Sequence, residues 1–182
     1  PSNNADFEFS SSEPASTFEC RIDAGVWGAC TSPQGYLLLT EGSHTFNVRA
    51  TDALFNTDFT PATYTWNVDT VTPAAPVITS PADGTFTTDT TPTITGTAEA
   101  NSTVTVYDGV TSLGTTTADG SGDWSFTPGA PLAEGAHYFD ATATDAAGNE
   151  SGSSNQVEVT IDTTDPAAPV ISSPADETST SD

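Results

Sequence analysis

Apolar residues along this chain recur at every second position. Phe7 and Phe9, Phe18, Cys20 and Ile22, Val104 and Val106, Trp124 and Phe126, and Val157, Val159 and Ile161 alternate with polar neighbours. A period of two belongs to strands with one face buried, and no stretch of similar length repeats at the helical period. Asp83-Gly84, Asp108-Gly109 and Asp119-Gly120 punctuate the runs, and Asp-Gly readily supplies the left-handed residue of a tight turn. The pattern predicts an all-β protein.

The chain also repeats itself. Residues 39–89 align without a gap on residues 132–182, offset by 93, with 25 identities in 51 positions. The longest match is Pro73-Ala-Ala-Pro-Val-Ile78 with Pro166-Ala-Ala-Pro-Val-Ile171. A period of this length suits a seven-stranded immunoglobulin-like β-sandwich and exceeds the usual solenoid repeat. In the second copy the strands are expected at 77–80, 92–97, 103–107, 112–117, 123–127, 136–144 and 156–162. The organisation is therefore tandem sandwiches: residues 1–72, residues 73–165, and residues 166–182 as the first strand of a further module. The first copy has no counterpart of residues 76–81 ahead of its strand at 5–10. Writing residues 166–182 before residues 1–72 restores one complete module. Two explanations stand side by side: a window on a longer tandem array, or donation of the strand around Val170 and Ile171 to a neighbouring copy, since an unpaired sheet edge invites β-augmentation.

Composition narrows the function. The 182 residues hold 25 acidic side chains, two arginines and no lysine, for a formal charge of −23. Phosphate backbones and anionic membrane surfaces are repelled by such a chain, and Lys–Asn isopeptide cross-links cannot form without lysine. No run of about 18 apolar residues predicts a membrane span, and no signal peptide is expected at Pro1.

Few residues offer special chemistry. Cys20 and Cys30 flank a hairpin expected to close at Ala24-Gly25-Val26. In a register where paired numbers sum to 50 they face each other, and a disulfide is expected, which belongs to an oxidising compartment. His44 and His137 follow Glu-Gly at equivalent places and are expected to hydrogen-bond back to the backbone at a strand corner. No Ser or Cys nucleophile recurs beside them and no phosphate-binding loop is present, so an enzyme is not expected. Calcium is the candidate ligand, because hard cations need several loop oxygens. Sandwich loops would gather Asp69, Glu99, Asn101, Asp145 and Asn149 at one pole of the second module. At the first they would gather Glu13, Asp52, Asn56 and Asp58, with Asp162 and Asp165 arriving from a preceding repeat. The competing reading is that Asp and Asn simply cap their own turns.

Residues 74–165 resemble bacterial Ig-like modules of giant repetitive surface adhesins and biofilm proteins. The resemblance rests on Pro-Val-Ile-x-Ser-Pro-Ala-Asp, Gly-x-His-x-Phe, Asp145-Ala-Ala-Gly-Asn149 and Ile161-Asp-Thr163. Residues 1–72 are similar to a second bacterial extracellular repeat, through Phe7-x-Phe-x-Ser-Ser, Phe18-x-Cys-x-x-Asp23, Trp27, His44-x-Phe-x-Val-Arg-Ala-x-Asp52 and Trp66-x-Val-Asp69. Leu54-Phe55 departs from the small residue and Gly usual there, which argues against a Gly-dependent turn. The resemblance implies a non-enzymatic extracellular structural protein, a stalk, adhesin extender or filament whose partners are adjacent copies or repeats, head to tail. The alternative is a carbohydrate- or ligand-binding module of a secreted protein, which requires an exposed aromatic platform from Trp27 or Tyr36.

Overall fold

A computed structural model describes residues 1–172 of the chain. Among these residues there are fourteen strands and no helix. The first six are β1 (Ala5–Phe7), β2 (Thr17–Ile22), β3 (Gly28–Cys30), β4 (Gln34–Tyr36), β5 (Gly42–Thr51) and β6 (Ala62–Val68). They form a two-stranded sheet, β1-β4, and a four-stranded sheet in the order β3-β2-β5-β6.

The next eight are β7 (Val77–Ser80), β8 (Thr85–Thr87), β9 (Ile94–Thr97), β10 (Thr103–Asp108), β11 (Thr111–Thr117), β12 (Asp123–Phe126), β13 (Gly135–Thr144) and β14 (Val157–Ile161). Their sheets run β12-β9-β7 and β11-β10-β13-β14-β8. Pairings are antiparallel except β14 with β8, where Val159 lies beside Thr85.

The alternating apolar positions meet between the sheets. In the second module Ile78 and Ile94 and Trp124 from one sheet pack on Val104, Val106, Phe139, Val157 and Val159 from the other. Burying each such side chain contributes about 1.5–3 kcal/mol. The first module closes a smaller core with rings: Phe7 stacks on Phe46 at 4.1 Å between centroids, and Phe9 meets Phe18 edge-on at 5.1 Å.

Two strands escape the hydrophobic pattern. β8 points Phe86 to solvent between two half-buried threonines, and β4 reads Gln-Gly-Tyr. The cysteine hairpin also differs from the expected register. Paired numbers sum to 48, with Phe18 opposite Cys30 and Cys20 opposite Gly28. Asp23 in the left-handed region (φ 53°) and the Gly25 N–H donating to the Ile22 carbonyl set the turn. The disulfide forms all the same, diagonally, with Cα atoms 5.8 Å apart. That is inside the range a disulfide spans. So short a closed loop constrains the unfolded chain by up to about 3 kcal/mol.

Candidate functional site

Each module repeats one polar corner. The His44 ring faces the Asp23 carboxylate at 2.9 Å through Nδ1 and the Thr40 carbonyl at 2.7 Å through Nε2. His137 meets Asp108 at 2.6 Å and the Ala133 carbonyl at 2.9 Å. Both aspartates also accept a backbone N–H, from Thr45 and Tyr138. The corner role expected of the imidazoles is this bond to the carbonyl four residues upstream; the aspartate on the neighbouring strand is an addition.

With an oxygen acceptor at each ring nitrogen, the protonated imidazole is the better-satisfied form. The Thr40 carbonyl and Asp23 raise the pKa of His44. Burial works against a charged His137, and its bonds to Asp108 and Ala133 outweigh that. The Thr45 N–H and then His44 lower the pKa of Asp23. Stabilisation from a raised histidine is full below its ordinary pKa of about 6.5 and lost as pH rises through the folded value. That from a lowered aspartate is present above about 3.9 and lost as pH falls. Both modules are therefore expected to melt at lower temperature at pH 8.5 than at pH 5.5. His137→Gln is expected to remove this difference from the second transition only, as read by calorimetry.

The linker is gripped at both ends. Glu41 accepts the Thr70 backbone N–H at 3.0 Å and the Thr70 hydroxyl as well. From the other side the Asn149 amide donates to the Asp69 carbonyl at 3.2 Å. Asn149 is buried and is oriented by Asp145, whose carboxylate accepts its side-chain amide at 2.7 Å and its backbone N–H at 2.8 Å. Pro73 and Pro76 are buried beyond the grip. Asp69 and Thr70 are thus held between Glu41 of one module and Asn149 of the next.

The same parts recur at the other two ends, each with one half of the grip. Glu134 binds the Thr163 N–H at 3.1 Å and the hydroxyls of Thr163 and Thr164. Asp52 orients Asn56 through the same two bonds, both 2.8 Å, and Asn56 is exposed. The turn doubted at Leu54-Phe55 forms here: Phe55 takes φ 67° where Gly148 takes φ 88°. The bonds to Asp52 hold Phe55 in a region that bulky residues avoid.

The candidate cation ligands divide by pole. Asp69, Asp145 and Asn149 come together, but Asn149 presents its N–H groups to the other two, and Asp145 also caps the Ala147 N–H. Glu99 and Asn101 lie exposed on the β9–β10 turn, where Asn101 has φ 64°. At the first pole Glu13, Asp52, Asn56 and Asp58 line one hollow of about 350 Å³. Asp162 caps the Thr164 N–H and Asp165 is exposed, beyond β14. Among the described residues no three His, Cys, Asp or Glu side chains are spaced to hold a metal ion. Val170 and Ile171 are exposed and outside any strand.

The aromatic platform is otherwise engaged. Arg21 and Arg49 both lie over the Trp27 ring, at 4.6 and 4.4 Å, and Arg49 pairs with Glu19 at 2.7 Å. Tyr36 packs edge-on against Phe7 and Phe46, and Trp124 is buried.

Comparison with known proteins agrees with this architecture. Fibronectin(III)-like modules of CbhA from Clostridium thermocellum superpose with a TM-score of 0.54 at 16% identity, over 87% of this chain and 84% of that one. That likeness shows the fold. A BSP domain of a biofilm associated protein gives 0.39 at 24% identity, over 89% of this chain and 27% of that one. A tetra-tandem repeat from the extending region of a large adhesion protein gives 0.39 at 23%, over 81% of this chain and 42% of that one. No curated protein sequence matches the chain. In sequence, residues 79–163 match the family model described as bacterial Ig-like domain, so the second module carries the pattern of that family.

Proposed function

We propose that the chain is an extracellular structural element: Ig-like modules joined head to tail in a stalk, adhesin extender or filament. The observation that supports this reading is the grip on Asp69-Thr70 by Glu41 and Asn149, followed by two buried prolines. A spacer must hold the angle between successive modules. A linker with polar contacts to both neighbours and prolines that fix φ does so. Neighbours follow either by peptide continuity or by strand complementation. The disulfide suits an oxidising compartment outside the cytoplasm. Calcium is the candidate cation for the hollow bounded by Glu13, Asp52, Asn56 and Asp58. Binding would turn the Asn56 amide, which now donates to Asp52, to present its oxygen, and Asp162 and Asp165 of a neighbouring module would add theirs.

Small-angle scattering tests the reading. At dilutions where the chain is one protomer it is expected to give one narrow distribution of maximum dimension, and the pair Glu41→Ala with Asn149→Ala a broader and shorter one. Equal profiles for both chains would remove the grip as the source of stiffness.

A further inference from the structure

We infer that the slot between β1 and β6 of the first module is the seat for the Pro169-Val-Ile171 strand of a second copy of this chain. The inference rests on the head-to-tail reading and names the surfaces that meet. The slot is about 210 Å³ and apolar. Phe7 and Phe9 form one wall, Ala62 and Tyr64 the other, and Phe46 and Val48 the floor. Among the described residues no strand pairs with the outer edge of β1 or of β6.

The second module shows what occupies this place. There β7 pairs with the outer edge of β9, placing Ile78 opposite Gly96, and β8 covers the edge of β14. Asn155 fixes the Ile78 backbone by accepting its N–H at 2.8 Å and donating to its carbonyl at 3.1 Å. By the 93-residue offset, Asn155 corresponds to Ala62, Val157 to Tyr64, Phe139 to Phe46 and Ala141 to Val48. The slot is lined by the counterparts of the residues around Ile78. Val157 is 2% exposed, and its counterpart Tyr64 is 60% exposed.

The occupant is equally well marked. Pro73-Ala-Ala-Pro-Val-Ile78 and Pro166-Ala-Ala-Pro-Val-Ile171 are identical. In the first, Pro73, Pro76 and Ile78 are buried; in the second, Pro166, Pro169 and Ile171 are exposed. Ile78 is 5% exposed and Ile171 86%. One hexapeptide with two such fates has an apolar face made for a seat, and among the described residues the slot of the first module has the matching lining with no strand on it. The polar grip is ready beside it. Glu134 already holds Thr163 and Thr164, and exposed Asn56 is oriented as Asn149 is where it binds Asp69. Docking therefore brings Asp162 to Asn56 while Ile171 enters between Phe9 and Tyr64. Each copy offers one seat and one strand on different surfaces, so the contact is heterologous and extends into a filament.

Sedimentation of the full chain over a concentration series tests this. The expected result is mass growing in steps of the 18.6 kDa protomer. Ile171→Asp, at a position exposed in the free chain, is expected to stay at one protomer. A synthetic peptide of residues 166–182 in excess is expected to return the native chain to one protomer and to shift the amide signals of Phe7, Phe9 and Ala62. A native chain that stays at one protomer throughout, or Ile171→Asp that assembles as the native chain does, would overturn the proposal. So would a protomer whose Phe7 and Ala62 signals change on Ile171→Asp, since its own tail would then fill the slot. The scattering comparison at Asp69-Thr70 involves neither slot nor tail, so either reading can fail alone.

Discussion

Phe139→Ala is expected to lower the stability of the second module by about 3–5 kcal/mol, the range for emptying the site of a fully buried ring. Phe139 has no exposed surface, and its ring lies parallel to His137 at 6.1 Å. It sits midway along β13, opposite Asp108 on one side and Val157 on the other. Its removal opens a hole where the two sheets meet and takes away the ring that backs the His137–Asp108 corner. Calorimetry of the full chain is expected to show the second module's transition moving down while the first module's stays in place. The first module has its own core around Phe46, and distant sites add independently. A loss below about 1.5 kcal/mol would mean that Ile94, Val104 and Val159 collapse into the space.

Gly96→Ala is expected to be the next most damaging change, for the opposite reason. A Cβ at Gly96 would lie 2.1 Å from the Val77 carbonyl oxygen and 2.6 Å from Trp124 Cζ2. One neighbour is backbone and the other a buried ring, so neither can step aside without loss. Overfilling a packed site costs typically about 1–3 kcal/mol, and here the part that can yield is β7. Hydrogen exchange is expected to show Val77 and Ile78 losing protection before the rest of the sheet. With β7 lifted, Ile78 leaves its place and the second module acquires the open slot that the first has between β1 and β6. Unchanged protection at Ile78 would show that the pairing of β7 with β9 tolerates a methyl group.

The sandwich was readable because a half-buried strand writes its own period into the chain. Val104, Val106, Val157 and Val159 alternate and are all buried. β8 was not readable, since an edge strand held by backbone pairing can turn Phe86 outward. The disulfide partners followed from there being two cysteines across a hairpin, but the register hung on a left-handed Asp23 that no pattern marks. Asp23 and Asp108 escaped notice as histidine partners for a plain reason. They are 85 residues apart while their histidines are 93 apart, because the intervening hairpins differ in length, so no single alignment offset joins them. Glu41 and Glu134 did align, yet a conserved-looking Glu-Gly reads as turn chemistry until a threonine thirty residues on is seen to reach it. At the second pole the spacing names Asp145 and Asn149, but the direction in which the Asn149 amide presents its N–H groups lies below what spacing can express.

The two arginines stacked on Trp27 have a consequence for how such a chain meets proteases. Proteases of the trypsin type cut after Lys or Arg, and these 182 residues offer them only Arg21 and Arg49. Both lie within paired strands, β2 and β5, with their guanidinium groups over an indole and one also bound to Glu19. Cleavage there requires a strand to leave its sheet, so it samples only the open population of the first module. The second module, with neither lysine nor arginine, presents such enzymes with nothing to cut even when unfolded.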